Sequence, residues 1–99
     1  MQERWERLFD DESKLKVTRT ETPEGVKFSV VYLLFLDGWR DIARIDNYPH
    51  EGKTATHIHR FDEERVEFRE MDLYEAIETI TRIGNHIKER IKHGNHRIG

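Results

Sequence analysis

The chain has 99 residues, 35 % apolar and 37 % charged, with a net charge of −3 and no cysteine. That length supports one domain, residues 1–99, with one modest core, and the missing cysteines exclude disulfides, thiol catalysis and cysteine-based zinc sites. A net acidic chain argues against duplex binding driven by excess Lys and Arg, and no apolar run nears the roughly 18 residues of a membrane span.

The opening "MQERWERLFDDESK" is charged and lacks an apolar leader, which sets the expectation of a cytoplasmic protein. Its Trp5, Leu8 and Phe9 suit a short amphipathic turn or helix. From Leu15 onward the pattern is that of strands. "LKVTRTE" alternates, and "TPEG" supplies proline and glycine for a turn. "VKFSVVYLLFL" begins as alternation and ends apolar on both faces, as a central strand does. Asp37–Gly38 is the strongest hairpin signal in the chain. A two-residue loop there would set Leu36 opposite Trp39, Tyr32 opposite Ala43 and Val30 opposite Ile45 on an apolar face, making Trp39 a core residue. The other face would pair Leu33 with Ile42, Val31 with Arg44 and Ser29 with Asp46.

After "YPHEGK", the segment "TATHIHRF" reads as a further strand, then "DEER" as a turn and "VEFRE" as a short last strand. The period then changes. Leu73, Ile77, Ile80, Ile83, Ile87 and Ile91 recur at spacings of three and four, with Asp72 as N-cap, Glu75 as its capping-box partner and Gly94 as the stop. A helix of about 22 residues spans roughly 33 Å, enough to cross a sheet. The predicted fold is α+β: an antiparallel sheet of four or five strands covered on one face by this long C-terminal helix. Charge of mixed sign at this density also suits a thermophile.

The chemistry concentrates between Arg44 and Phe61, "RIDNYPHEGKTATHIHRF". His57 and His59 are two apart on a predicted strand, so both rings project from one face about 6.6 Å apart at Cα. Three readings stay open. The pair could be exposed strand positions following an Asx-type turn at Asp46, Asn47 and Pro49. It could ligate a metal with His50 or Asp46. It could perform acid–base chemistry, as cleavage of an RNA phosphodiester by its own 2′-hydroxyl needs, with Arg44 or Arg60 stabilising the transition-state charge. His86, His93 and His96 read as solvated.

The ordered segment Arg44, Asp46, Asn47, Pro49, His50, followed by His57 and His59, resembles the TumE family of small prokaryotic toxins, over roughly Leu33 to the end of the helix. Members tend to carry a richer histidine run, often with lysine where this chain has Ile58. The resemblance implies a toxin encoded beside a helix-turn-helix antitoxin partner, with RNA as target. On that reading the expected activity is a metal-free ribonuclease without a cofactor, in which His57, His59 and His50 move protons, Arg44 and Arg60 bind phosphate, and Asp46 and Asn47 shape the loop and orient a histidine. A homodimer is compatible with it. The competing classes are a non-enzymatic protein-binding module and a histidine-based metal hydrolase.

Overall fold

A computed structural model describes residues 2–48, 56–61 and 66–93. Six strands form one antiparallel sheet in sequence order: β1 (Gln2–Asp10), β2 (Ser13–Thr22), β3 (Gly25–Phe35), β4 (Trp39–Asp46), β5 (His57–Arg60) and β6 (Glu67–Phe68). One helix, α1 (Leu73–Lys92), follows and packs on β3 and β4. The α+β architecture is as expected, with six strands rather than four or five. Pro49, His50, Gly94, His96 and the "DEER" turn lie outside the described residues. Among those described, no helix is long and apolar enough to cross a membrane.

The additional strand is β1, where an amphipathic turn or helix was expected. Its apolar residues fit helical spacing, but cross-strand partners on β2 decide its conformation: Trp5 lies opposite Val17, and Glu3 and Glu6 pair with Arg19 and Lys14 at 3.1 and 3.0 Å. Such partners are invisible to a local pattern.

The Asp37–Gly38 hairpin forms, but its loop has three residues. Phe35, not Leu36, opposes Trp39, and Asp37 and Gly38 both take positive φ, 88° and 115°. The offset is absorbed by a β-bulge at Ile42, so Leu33 meets Asp41 rather than Ile42. Beyond the bulge the expected register holds from Tyr32–Ala43 to Ser29–Asp46. The bulge turns Ile42 and Ala43 together into the core. It leaves Trp39 on the face away from α1, edge-on to Phe35 and 38 % exposed, so Trp39 is not a core residue.

The core lies between α1 and the inner face of the sheet, where Leu15, Val17, Val30, Tyr32, Ile45 and Ile58 meet Ala76, Ile80 and Ile87. The helix begins as predicted, with Asp72 and Glu75 in a reciprocal capping box. The predicted stripe is centred one position off. Ala76, Ile80, Gly84 and Ile87 are fully buried, while Leu73, Ile77, Ile83 and Ile91 flank them. Gly84 marks the closest approach: a Cβ there would stand 2.1 Å from Tyr32 Cδ2. The buried Tyr32 ring also stacks on Phe9 at 5.4 Å, and its hydroxyl donates to Asn85 Oδ1 at 2.7 Å.

A polar clamp closes the other end of α1. Lys88 donates to Asp10 Oδ2 and lies 3.2 Å from Ser13 Oγ, while Asp10 Oδ1 accepts from Glu12 N and Ser13 Oγ. These donors, Lys88 foremost, hold the Asp10 carboxyl far below the usual aspartate range, and Asp10 in turn raises Lys88. A depressed folded-state carboxyl stabilises the fold above its unfolded value and loses that contribution as pH falls through the folded one.

Two outcomes follow from this packing. Gly84→Ala lowers unfolding free energy by about 1–3 kcal/mol, although the same change raises stability by up to about 1 kcal/mol at an open helix position; urea denaturation measures the sign. Asp10→Asn lowers the melting temperature by a constant margin from about pH 5 to 9, and the margin narrows below about pH 4, where the unfolded chain's Asp10 takes up a proton that the folded one still refuses. A margin that widens in acid would contradict the clamp.

Candidate functional site

Strand β5 lies beside β4 with Arg44 opposite His59, Ile45 opposite Ile58 and Asp46 opposite His57. Ile45 and Ile58 belong to the core, so strand alternation puts the other four residues on the face away from α1. Arg44, His59, Asp46 and His57 therefore form a two-by-two block on one face. Arg60 follows the alternation to the opposite face, level with Ala43. There it lines a cleft of about 320 Å³ with Glu67, Arg69, Arg82 and His86, and at the end of β5 it also borders the pocket at Arg44 and His59. Sequence reasoning grouped Arg60 with Arg44 and did not single out Arg69 or Arg82, although the four-residue spacing of Arg82 and His86 was readable as one helix flank.

The two histidines differ sharply in access. His57 is 1 % exposed, with its ring edge against Phe68 at a centroid distance of 4.8 Å. Its Nδ1 lies 3.3 Å from the main-chain carbonyl of Asp46 and 3.8 Å from the Asp46 carboxylate. The hydrogen bond is therefore to the backbone, and because a carbonyl only accepts, Nδ1 carries the proton. The carboxylate is directed elsewhere: Oδ2 lies 3.4 Å from Arg44 Nε, and Oδ1 accepts from Tyr48 N at 3.3 Å. His59 is half-buried, and its ring lies nearly parallel to that of His57, 6.3 Å between centroids. It lines an open pocket of about 260 Å³ with Asp41, Arg44, Arg60 and Phe61.

Asn47 acts on the sheet. Its Oδ1 accepts from Phe28 N at 2.8 Å and its Nδ2 donates to Val26 O at 2.9 Å, so the side-chain amide continues the β4 ladder one peptide further. Those bonds tie the end of β4 to β3 and so position Asp46. Neither of them reaches a histidine. His50, the third histidine of the sequence reading, is outside the described residues. Among the described residues, no three histidine or acidic side chains converge as metal ligands.

No family model, curated protein or solved structure matches the chain. Its chemistry therefore rests on the block itself. A half-open imidazole beside a guanidinium can exchange a proton with a bound anion while the cation holds that anion's charge. A fully buried imidazole cannot meet a substrate in this arrangement; it supports its neighbour.

In its neutral form His57 is expected as the Nδ1–H tautomer. Long-range ¹H–¹⁵N spectra of the histidine rings check this, and the same pattern persists in Asp46→Ala because the backbone carbonyl is the acceptor. An Nε2–H pattern in the wild type would contradict the geometry.

Proposed function

We propose that this chain is a small metal-independent ribonuclease, the toxin component of a toxin–antitoxin module with a helix-turn-helix antitoxin as its protein partner. The observation that carries the catalytic part is the direct cross-strand pairing of Arg44 with His59 at the wall of one open pocket. The toxin assignment is supported by the ordered Arg44–Asp46–Asn47–Pro49–His50 segment and the histidines that follow it.

In the reaction the 2′-hydroxyl of one nucleotide attacks its own 3′-phosphorus and the bond to the 5′-oxygen breaks. One group removes the 2′-proton and another protonates the leaving oxygen. His59 serves as one of them, and His50, in the sequence between β4 and β5, as the other. His57 is reassigned from proton transfer to positioning, because it is closed to solvent. Arg44 stabilises the additional negative charge on the five-coordinate phosphorus, with Asp46 fixing its guanidinium. Arg60, which lines the same pocket, is the second cation for that phosphate.

A second reading, a non-enzymatic protein-binding module, is favoured by the exposed apolar residues Leu8, Phe35 and Trp39 at the far end of the same face.

Incubation of the purified protein with single-stranded RNA in EDTA separates the two. Wild type is expected to cleave, leaving cyclic 2′,3′-phosphate ends. His59→Ala is expected to slow cleavage by roughly 10²- to 10⁴-fold and Arg44→Ala by roughly 10²- to 10³-fold, with circular dichroism unchanged. Folded wild type that cleaves nothing would sink the ribonuclease and leave the binding module.

A further inference from the structure

The helix covers one face of the sheet, and the register defines what the other presents. Across β1 to β5 one row reads Glu6, Lys16, Val31, Arg44, His59, and the next toward the β3–β4 hairpin reads Leu8, Lys14, Leu33, Asp41. Phe35 and Trp39 stand beyond these rows. Arg4 and Lys27 share the face at its other end.

Charge is unevenly divided in this chain. The open face holds Arg4, Lys14, Lys16, Lys27 and Arg44 against Glu6, Asp41 and Asp46, an excess of positive charge on a chain whose net charge is −3. Two of those acids are engaged, Glu6 by Lys14 at 3.0 Å and Asp46 by Arg44 at 3.4 Å. Lys16 and Arg4 are exposed and make no ion pair among the described residues. The aromatic pair Phe35 and Trp39 closes the row, with Lys14 Nζ 4.5 Å from the Trp39 ring centre. From Trp39 to Arg44 along β4 is roughly 15 Å.

Basic side chains leading to a pair of exposed aromatics at one end of a sheet face match what an unpaired nucleic-acid strand needs, a cationic track for its phosphates and ring faces for its bases. A rigid duplex could not lay its bases on Trp39. We infer that the sheet face opposite α1 is a platform for single-stranded RNA, running from the Arg44–His59 pocket past Lys16 and Lys14 to Trp39 and Phe35. This deepens the ribonuclease reading and rests on it for the identity of the polymer. It assigns Lys16 and Arg4 to binding, where neither motif nor spacing had placed them, and gives Trp39 the base-stacking role that its exposed ring allows. The pocket at Arg44 then takes one phosphodiester, and the remainder of the face holds the nucleotides to one side of it.

The test is fluorescence anisotropy with a labelled 12-nucleotide 2′-O-methyl RNA, which lacks the hydroxyl that cleavage requires. Wild type is expected to bind it with an affinity that falls with salt. Lys16→Gln combined with Arg4→Gln should reduce the slope of log K against log salt by roughly 0.7 per residue removed. Trp39→Leu should weaken binding roughly tenfold or more. Arg82→Gln, on the helix side, should bind as wild type does, and a duplex of equal length should compete poorly. No binding, binding indifferent to both the Lys16/Arg4 and Trp39 changes, or preference for duplex would overturn the platform. Its failure is separable from that of the ribonuclease. Variant-sensitive binding without cleavage of natural RNA removes only the enzyme, whereas His59-dependent cleavage with indifferent binding removes only the platform.

Discussion

The close contact between Gly84 and the ring of Tyr32 is the constraint on which the other arrangements rest. Tyr32 sits mid-strand in β3, between Leu15 on β2 and Ala43 on β4, and only a residue without Cβ lets the helix descend onto it. With α1 seated there, Ala76, Ile80 and Ile87 close over the inner face and the sheet has one dry side. Strand alternation then puts every second residue of β4 and β5 on the face away from α1, where Arg44 is exposed, His59 half-buried and His57 closed to solvent. The chemistry sits where the helix is absent, and the register that brings Arg44 to His59 is held by Ile45 and Ile58, which pair one position away and are locked into the core.

That arrangement divides labour within the block. Buried His57 has its Nδ1 proton committed to the Asp46 carbonyl and lies against His59 as a parallel ring. The Asp46 carboxylate is left to hold Arg44. Asn47, bonded to the β3 backbone through both ends of its amide, fixes the point at which the chain departs from the sheet. Each of these residues aims a neighbour and leaves the surface groups, Arg44 and His59, facing the pocket.

Much of this was legible because two periods carry it. The helix, its capping box and the inner-face pairs Tyr32–Ala43 and Val30–Ile45 follow from spacing and from the Asp37–Gly38 turn. The bulge at Ile42 was not legible. Nothing in "GWRDIAR" says that an added loop residue will be repaid by a second irregularity six residues later. β1 was hidden because its partners lie a hairpin away, and its charged residues make it a strand only once Arg19 and Lys14 stand opposite. Alternation turns Arg60 away from His59 along β5, yet both border the pocket at Arg44, so grouping Arg60 with Arg44 by type was sound. His57 meets Phe68 of β6 with ring centroids 4.8 Å apart, a contact across the sheet that no local pattern contains.

The most direct measurement of the central claim asks whether an RNA strand meets the protein at the Arg44–His59 block. Histidine and arginine side chains labelled with ¹⁵N, followed by NMR during titration with a short uncleavable RNA, report this residue by residue. The account predicts that the His59 ring and Arg44 guanidinium signals shift first and most, with His57 following weakly and the exposed helix residues Arg82 and His86 unmoved. Shifts centred on α1 with His59 and Arg44 unchanged would contradict it.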